Sequence, residues 1–309
     1  MDCRLESMLR IDRILWPTDL STGAGRAFPH AAAFAEWHEA ELHVLHVSTD
    51  DEEAGGFPLT KGTLGNYLAT GDADGPPLAL DQLSIRQERR TGASPASEIT
   101  AYAAAESIDL IVMGTHGQRG LRRLLIGSVT EEVVRTAPCP VFTIRAADRP
   151  RPARTVRTIL APVDFSEAST LAVRHAKELA LTYGAQVTLL HAVEEAAYPS
   201  AYGLEAAPLP NSRVVQRVEK SLANLARDEI GYEHVMVEAS IGYAPSTILD
   251  YAEREAVDLI VIASHGRTGL ERMLLGSVTE RVVRRAPCPV FVVKPFGRSL
   301  APEVTEAVG

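Results

Sequence analysis

The chain repeats itself. Residues 109–142 read DLIVMGTHGQRGLRRLLIGSVTEEVVRTAPCPVF, and residues 258–291 read DLIVIASHGRTGLERMLLGSVTERVVRRAPCPVF. At an offset of 149 (258 − 109), 24 of these 34 positions are identical. Residues 16–21 (WPTDLS) match 161–166 (APVDFS), and Leu45-His46-Val47 matches Leu190-His191-Ala192, both at an offset of 145. The matches keep their order over some 150 residues, so the repeat is a duplicated domain and not a short solenoid unit. Between the halves, residues 145–157 (RAADRPRPARTVR) are polar and rich in Pro and Arg, as linkers are. The expected organisation is a first domain at 1–146, a linker at 147–156 and a second domain at 157–309, with a tail from about 296.

Each half alternates short apolar runs with longer amphipathic ones. In the second half, strands are predicted at 158–163, 187–192, 235–239, 259–263 and 290–294. Helices are predicted at 166–183, 214–230, 246–255 and 278–285, with Gly184 as a C-cap and Pro245 opening the third of them. The runs after Asp109 and Asp258 are continuously apolar, as in strands covered on both faces. Strand–helix alternation implies parallel strands with right-handed crossovers, hence two tandem doubly wound, Rossmann-like α/β domains. The first half departs from this plan over residues 50–77, which hold six glycines and three prolines. At about 1 kcal/mol per interior Gly and about 3 per Pro, only a short helix is expected there, around 64–70.

Ligands on open α/β sheets bind beyond the carboxyl ends of the strands, where strand order reverses. The loops that meet there carry Pro17-Thr18-Asp19 and the G-x2-G-x9-G-S run of Gly114, Thr115, His116, Gly117, Gly127 and Ser128. Glycines let backbone N–H groups approach an anion, and a helix opening at Gly127-Ser128 offers free N–H groups and a favourable dipole. Asp19 faces this cradle as an acceptor for an adenine amine or a ribose hydroxyl. A plainer reading stands beside each piece. Ser128-x-x-Glu131 and Ser277-x-x-Glu280 read as capping boxes. Asp19 and Asp164 can cap the helices starting near Ser21 and Ser166. Arg119, Arg122 and Arg267 are either solvated or reach phosphate from the loop. Cys139 and Cys288, in Ala-Pro-Cys-Pro turns, read as packing residues.

Several classes are excluded on this reading. The net charge of −9, from 31 basic and 40 acidic side chains, argues against a nucleic-acid partner. No apolar run approaches the roughly 18 residues needed to span a bilayer, and residues 1–10 lack a secretion-signal pattern. Three cysteines make neither a disulfide framework nor a zinc pattern. There is no P-loop, no G-x-G-x-x-G after the first strand, and no His-rich or Asp-rich metal loop. No Ser, Cys or carboxylate stands at a recognisable spacing from His116 or His265, so no catalytic residue and no metal ligand is assigned. A cytoplasmic, non-membrane protein is expected.

The first-strand P-x-D-x-S, L-H-V, the doubled G-x2-G-x9-G-[ST] loop and the A-P-C-P-V-F ending resemble the tandem universal stress proteins, over nearly all of both halves. The resemblance implies five parallel strands per domain in the order 3-2-1-4-5, and domains paired through their fifth strands. It implies binding of ATP, with Mg²⁺ arriving on the nucleotide, in a stress regulator rather than an efficient enzyme. By position, Asp19 and Val47 would hold adenine and ribose, with Pro17 shaping the loop. Gly114, Gly117, Gly127, Ser128 and Val129 would wrap the phosphates, with Thr115, His116 and Arg119 on the same loop. In the second half Pro162, Asp164, Ala192, Gly266, Gly276, Ser277 and Val278 take these places, with Ser264, His265 and Arg267 on the loop. Ala263 replaces the first motif glycine, and its Cβ is expected to crowd a ribose or shift the backbone. The apolar fifth strands need covering, by each other or by a second chain; the protein partner is unnamed. A nucleotide-independent partner-binding module and a slow ATPase are the competing functional readings.

Overall fold

The computed structural model describes residues 9–49, 56–69, 80–115, 126–145, 155–194, 212–231, 234–266 and 275–301. The first half runs β1 (Arg13–Thr18), α1 (Thr22–Gly25), α2 (Phe28–His38), β2 (Glu41–Ser48), α3 (Lys61–Ala69), β3 (Ile85–Thr91), α4 (Pro95–Ala105), β4 (Leu110–Gly114), α5 (Ser128–Thr136) and β5 (Val141–Ile144). The second runs β6 (Thr158–Pro162), α6 (Glu167–Tyr183), β7 (Gln186–Val193), α7 (Ser212–Leu225), β8 (Val235–Ile241), α8 (Ala244–Arg254), β9 (Leu259–Ala263), α9 (Ser277–Arg285) and β10 (Val290–Val293). Gly184 caps α6 in the left-handed region at φ 67°, as expected.

All ten strands form one sheet, ordered β3-β2-β1-β4-β5-β10-β9-β6-β7-β8. Each half is thus parallel with order 3-2-1-4-5, and its strand order reverses beside β1 and beside β6. The two halves meet antiparallel, Phe142 opposite Phe291. Of the two ways to cover the apolar fifth strands, the chain uses its own partner strand, and both edges disappear. One apolar core lies on the face covered by α2 and α6, and a second on the face covered by α4, α5, α8 and α9.

The duplicated first helix takes two forms. α6 is continuous for 17 residues. Its counterpart breaks into α1 and α2, where Gly23 and Gly25 weaken the helix and Pro29 opens the next one. The break leaves room for Trp16, fully buried, whose indole N–H donates to the Ala24 carbonyl at 3.0 Å. α3 spans nine residues, the short helix expected in the glycine-rich segment; residues 50–55 and 70–79 lie outside the described residues. Beyond β10 the chain returns to the first half, where the Arg298 N–H donates to Pro138 and its guanidinium pairs with Asp109 at 2.6 Å.

Candidate nucleotide-binding site

The ends of β1 and β6 are built alike. His46 on β2 donates from Nδ1 to the Thr18 carbonyl at 2.9 Å, and His191 on β7 does the same to Val163 at 2.7 Å. This tie fixes the strand end one residue before Asp19 and Asp164. Asp19 Oδ1 then accepts from the Ser21 N–H (3.1 Å) and hydroxyl (2.5 Å), and Asp164 Oδ1 from those of Ser166 (3.0 and 2.6 Å). Each serine in turn accepts from the helix's third N–H, on Ala24 and on Ser169. The serines are the caps; the aspartates orient them with one carboxylate oxygen. Between them Leu20 and Phe165 both sit at φ 63°. Left-handed backbone at a non-glycine residue costs about 1–2 kcal/mol, yet both halves hold it.

The loop after the fourth strand is closed by a backbone clasp. Gly127 N–H donates to Thr115 at 2.7 Å, and Gly276 N–H to Ser264 at 2.8 Å. The hydroxyls of Thr130 and Thr279 donate back to the strand-end carbonyls of Gly114 (2.9 Å) and Ala263 (2.6 Å). A Cβ on Gly127 or Gly276 would stand 3.2 or 3.1 Å from the clasping carbonyl, so the clasp favours glycine.

The capping-box expectation is corrected here. The N-caps of α5 and α9 are Gly127 and Gly276, and Ser128 and Ser277 are already helical and exposed. The clasp places the glycine, not the serine, in the extended cap conformation. Glu131 and Glu280 reach Arg284 instead, at 3.6 and 2.9 Å. Among the described residues no side chain accepts from the first-turn N–H groups of either helix. That terminus, with its dipole, suits an anion.

In the second half the two loops touch. A Cβ on Gly266 would fall 2.3 Å from Asp164 Oδ2, so the loop backbone lies directly against the strand-end carboxylate. Ser264, fully buried, shares a 2.8 Å hydrogen bond with His265 Nδ1. Val47 and Ala192 follow the tying histidines and are half-buried, and Pro17 and Pro162 are buried in the strands between. His116, Gly117, Arg119, Arg122 and Arg267 lie outside the described residues.

At Ala263 the strand backbone is not shifted. Its Cβ is packed in the core, with β9 regular to its end. Gly114 needs to be glycine for a local reason: a Cβ there would meet the Gly23 carbonyl of α1 at 2.6 Å. The Gly/Ala difference follows from the broken first helix of one half and the continuous helix of the other.

Cys139 and Cys288 are fully buried free thiols, and burial pushes Cys139 up to about 12, which suits packing and not redox chemistry. Among the described residues no cluster of three metal-ligating side chains occurs, and no helix is long and apolar enough to cross a membrane. Sequence reasoning picked out the L-H-V triplets but not the tie their histidines make, and it passed over the back-bonding threonines and Leu20 and Phe165. Their signal was present, since His46/His191 and Thr130/Thr279 are pairs preserved across the duplication.

Comparison with known proteins settles the family. The sequence model of the universal stress protein family matches residues 10–145 and again 155–294. The chain belongs to the universal stress protein family. Universal stress protein Rv2005c of Mycobacterium tuberculosis is 33% identical over 202 residues, spanning 63% of this chain and 65% of that protein's length. Universal stress protein MJ0531 of Methanocaldococcus jannaschii is 33% identical over 140 residues, 45% of this chain and 82% of that protein. In fold, this universal stress protein is similar to PA1789 from Pseudomonas aeruginosa (TM-score 0.67, 21% identity, 93% of this chain and 94% of that one). It is likewise similar to a universal stress protein from Archaeoglobus fulgidus (TM-score 0.64, 20% identity, 94% and 99%).

Proposed function

We propose that this universal stress protein is a cytoplasmic stress-response regulator that binds an adenine nucleotide, ATP carried with Mg²⁺, at the switch points beside β1 and β6. The carrying observation is the twice-built site: a strand-end aspartate held by a serine cap, facing a glycine-clasped loop whose helix opens without a side-chain cap. Gly127, Ser128 and Val129, and Gly276, Ser277 and Val278, would hold the phosphates by backbone donors. Asp19 and Asp164 would take adenine or ribose. The nucleotide supplies a phosphate chain that can be transferred or hydrolysed. The chain's own residues bind and orient it, and the tied histidines hold the strand ends that do so. The test is calorimetric titration with MgATP of the native chain and of a Gly127→Val, Gly276→Val double variant. Binding should be saturable in the first and lost in the second; an untouched isotherm would contradict this placement.

The partner-binding reading is favoured by one observation: both aspartates already serve as turn acceptors, a role that needs no ligand. It predicts partner binding indifferent to ATP. A slow ATPase would show phosphate release abolished by Asp19→Ala with Asp164→Ala.

A further inference from the structure

A hydrogen-bonded chain of titratable groups lies away from the nucleotide site, at the opening end of β2. Tyr102, on α4, places its hydroxyl 2.8 Å from His43 Nδ1, and His43 Nε2 stands 3.0 Å from the Glu41 carboxylate. A carboxylate only accepts, so Nε2 carries the imidazole proton and Nδ1 of the neutral ring presents a lone pair. The phenol therefore donates to it. Tyr102 and His43 are each 1% exposed, whereas the Glu41 side chain reaches solvent. The chain runs from a buried phenol, through a base, to the surface.

The charges around the ring decide what this phenol can do. The Arg90 guanidinium lies over it, 4.9 Å from the centroid, and Arg86 stands opposite His43 on β3; Glu88 and Glu106 oppose these charges. Burial raises the phenol above its ordinary value, so it keeps its proton at neutral pH. A ring that lost an electron alone would become a cation beneath a guanidinium. Passing the proton to His43 in the same event leaves the ring neutral, and Glu41 matches the imidazolium that forms. The fold does not demand this chain. In the second half Tyr251 keeps the aromatic place at an offset of 149, with Arg254 over its ring at 5.0 Å. There Gln186 and Thr188 stand where Glu41 and His43 do, at an offset of 145.

We infer that Tyr102 is a proton-coupled one-electron donor, with His43 as its base, through which the first half quenches radical oxidants of the peroxyl class. In the forward step the oxidant takes one electron from Tyr102 and leaves as its anion. The phenolic O–H breaks, the proton passes to His43 Nδ1, and a neutral phenoxyl remains. A thiolate then returns one electron, becoming a thiyl radical, and the proton goes back from Nδ1 to the phenol oxygen. The oxidant need not enter the core, because the half-buried Arg90 side chain is all that lies between that face of the ring and solvent. This activity is independent of the nucleotide reading, whose strand-end residues His46 and Val47 lie at the other end of β2.

The experiment oxidises the full chain with photogenerated ruthenium(III) tris-bipyridine, a one-electron oxidant, and follows radicals by optical absorbance and electron paramagnetic resonance. The native chain should form a tyrosyl radical, and its formation should slow in heavy water because a proton moves with the electron. Tyr102→Phe keeps the ring packing and should remove most of the signal, while Tyr251→Phe should leave it. His43→Gln can accept a hydrogen bond but not a proton, and should slow formation about a hundredfold, the lower end of what a positioned base contributes. Glu41→Gln changes only a side chain at the surface, leaves the buried phenol and imidazole in place, and should slow formation less. No tyrosyl signal in the native chain, or one that survives Tyr102→Phe undiminished, would overturn the inference. Equal rates in light and heavy water, or a native rate in either His43→Gln or Glu41→Gln, would overturn it as well.

Discussion

Lys294, at the end of β10, donates its ammonium to the carbonyl of Arg135 at 3.2 Å, and to that of Val134 beside it, at the C-terminus of α5 in the other half of the chain. Arg145, at the end of β5, does the same for α9 by donating to Ala286 at 2.6 Å. A cation meets the negative end of each helix across the seam. The pair locks the two halves at the antiparallel β5–β10 junction.

Lys294 is only 4% exposed, so its stem is part of the packing as well as its charge. Lys294→Ala removes both and leaves two carbonyls short of a donor, which should cost about 2–4 kcal/mol. Thermal unfolding should fall by several degrees. An unchanged midpoint would show that the seam does not depend on this contact.

A second buried group makes stability depend on pH. His175 on α6 donates from Nδ1 to Leu171 at 2.9 Å and accepts the Leu300 N–H on Nε2 at 3.2 Å, so the neutral ring satisfies both nitrogens. Burial lowers its pKa from 6.5 to about 4. The folded state therefore resists a proton that the unfolded chain accepts. Its contribution is complete above about pH 6.5 and is lost as pH falls toward 4, by as much as about 3 kcal/mol. Denaturant midpoints of the native chain and of His175→Gln should converge as pH drops over that range; a constant gap would contradict the assignment.

The duplication supplies an asymmetric pair of substitutions. Gly114→Ala drives a Cβ into the Gly23 carbonyl and should cost about 1–3 kcal/mol. Ala263→Gly at the matching position should cost no more than about 1 kcal/mol. Urea unfolding of the two variants tests it, and equal losses would show that α1 does not set the glycine requirement.

The back-bonding threonines tie the site loop to the strand. Thr279→Val deletes the buried 2.6 Å bond to Ala263 while keeping the side chain's volume, leaving that carbonyl short of a partner. A loss of about 1–2 kcal/mol is expected, with weaker MgATP binding at the second site. Hydrogen exchange at Gly276 should quicken in the variant, and unaltered exchange would place the clasp's stability elsewhere.

Much of this arrangement was readable from the chain. Continuous apolar runs such as 259–263 identify buried strands because both sheet faces are covered, and Gly184 and Pro245 punctuate helices for steric reasons that hold anywhere. The candidate site was readable because the same polar residues recur twice at strand ends. What escaped was tertiary. Ser128 fits a capping box locally, yet the Gly127–Thr115 clasp moves the cap one residue back. Gly114 looks like a ligand glycine, and only the broken first helix shows it meeting Gly23. Tyr67 belongs to no motif, and its place against Gly25 and Trp16 depends on how α3 docks on α1.

The most direct measurement is to denature freshly purified protein, remove it, and identify any released small molecule by chromatography and mass, with its molar ratio to chain. The account predicts an adenine nucleotide, ATP, at close to one per chain or more, restored by MgATP after stripping. No nucleotide released, and none bound when MgATP is returned, would contradict it.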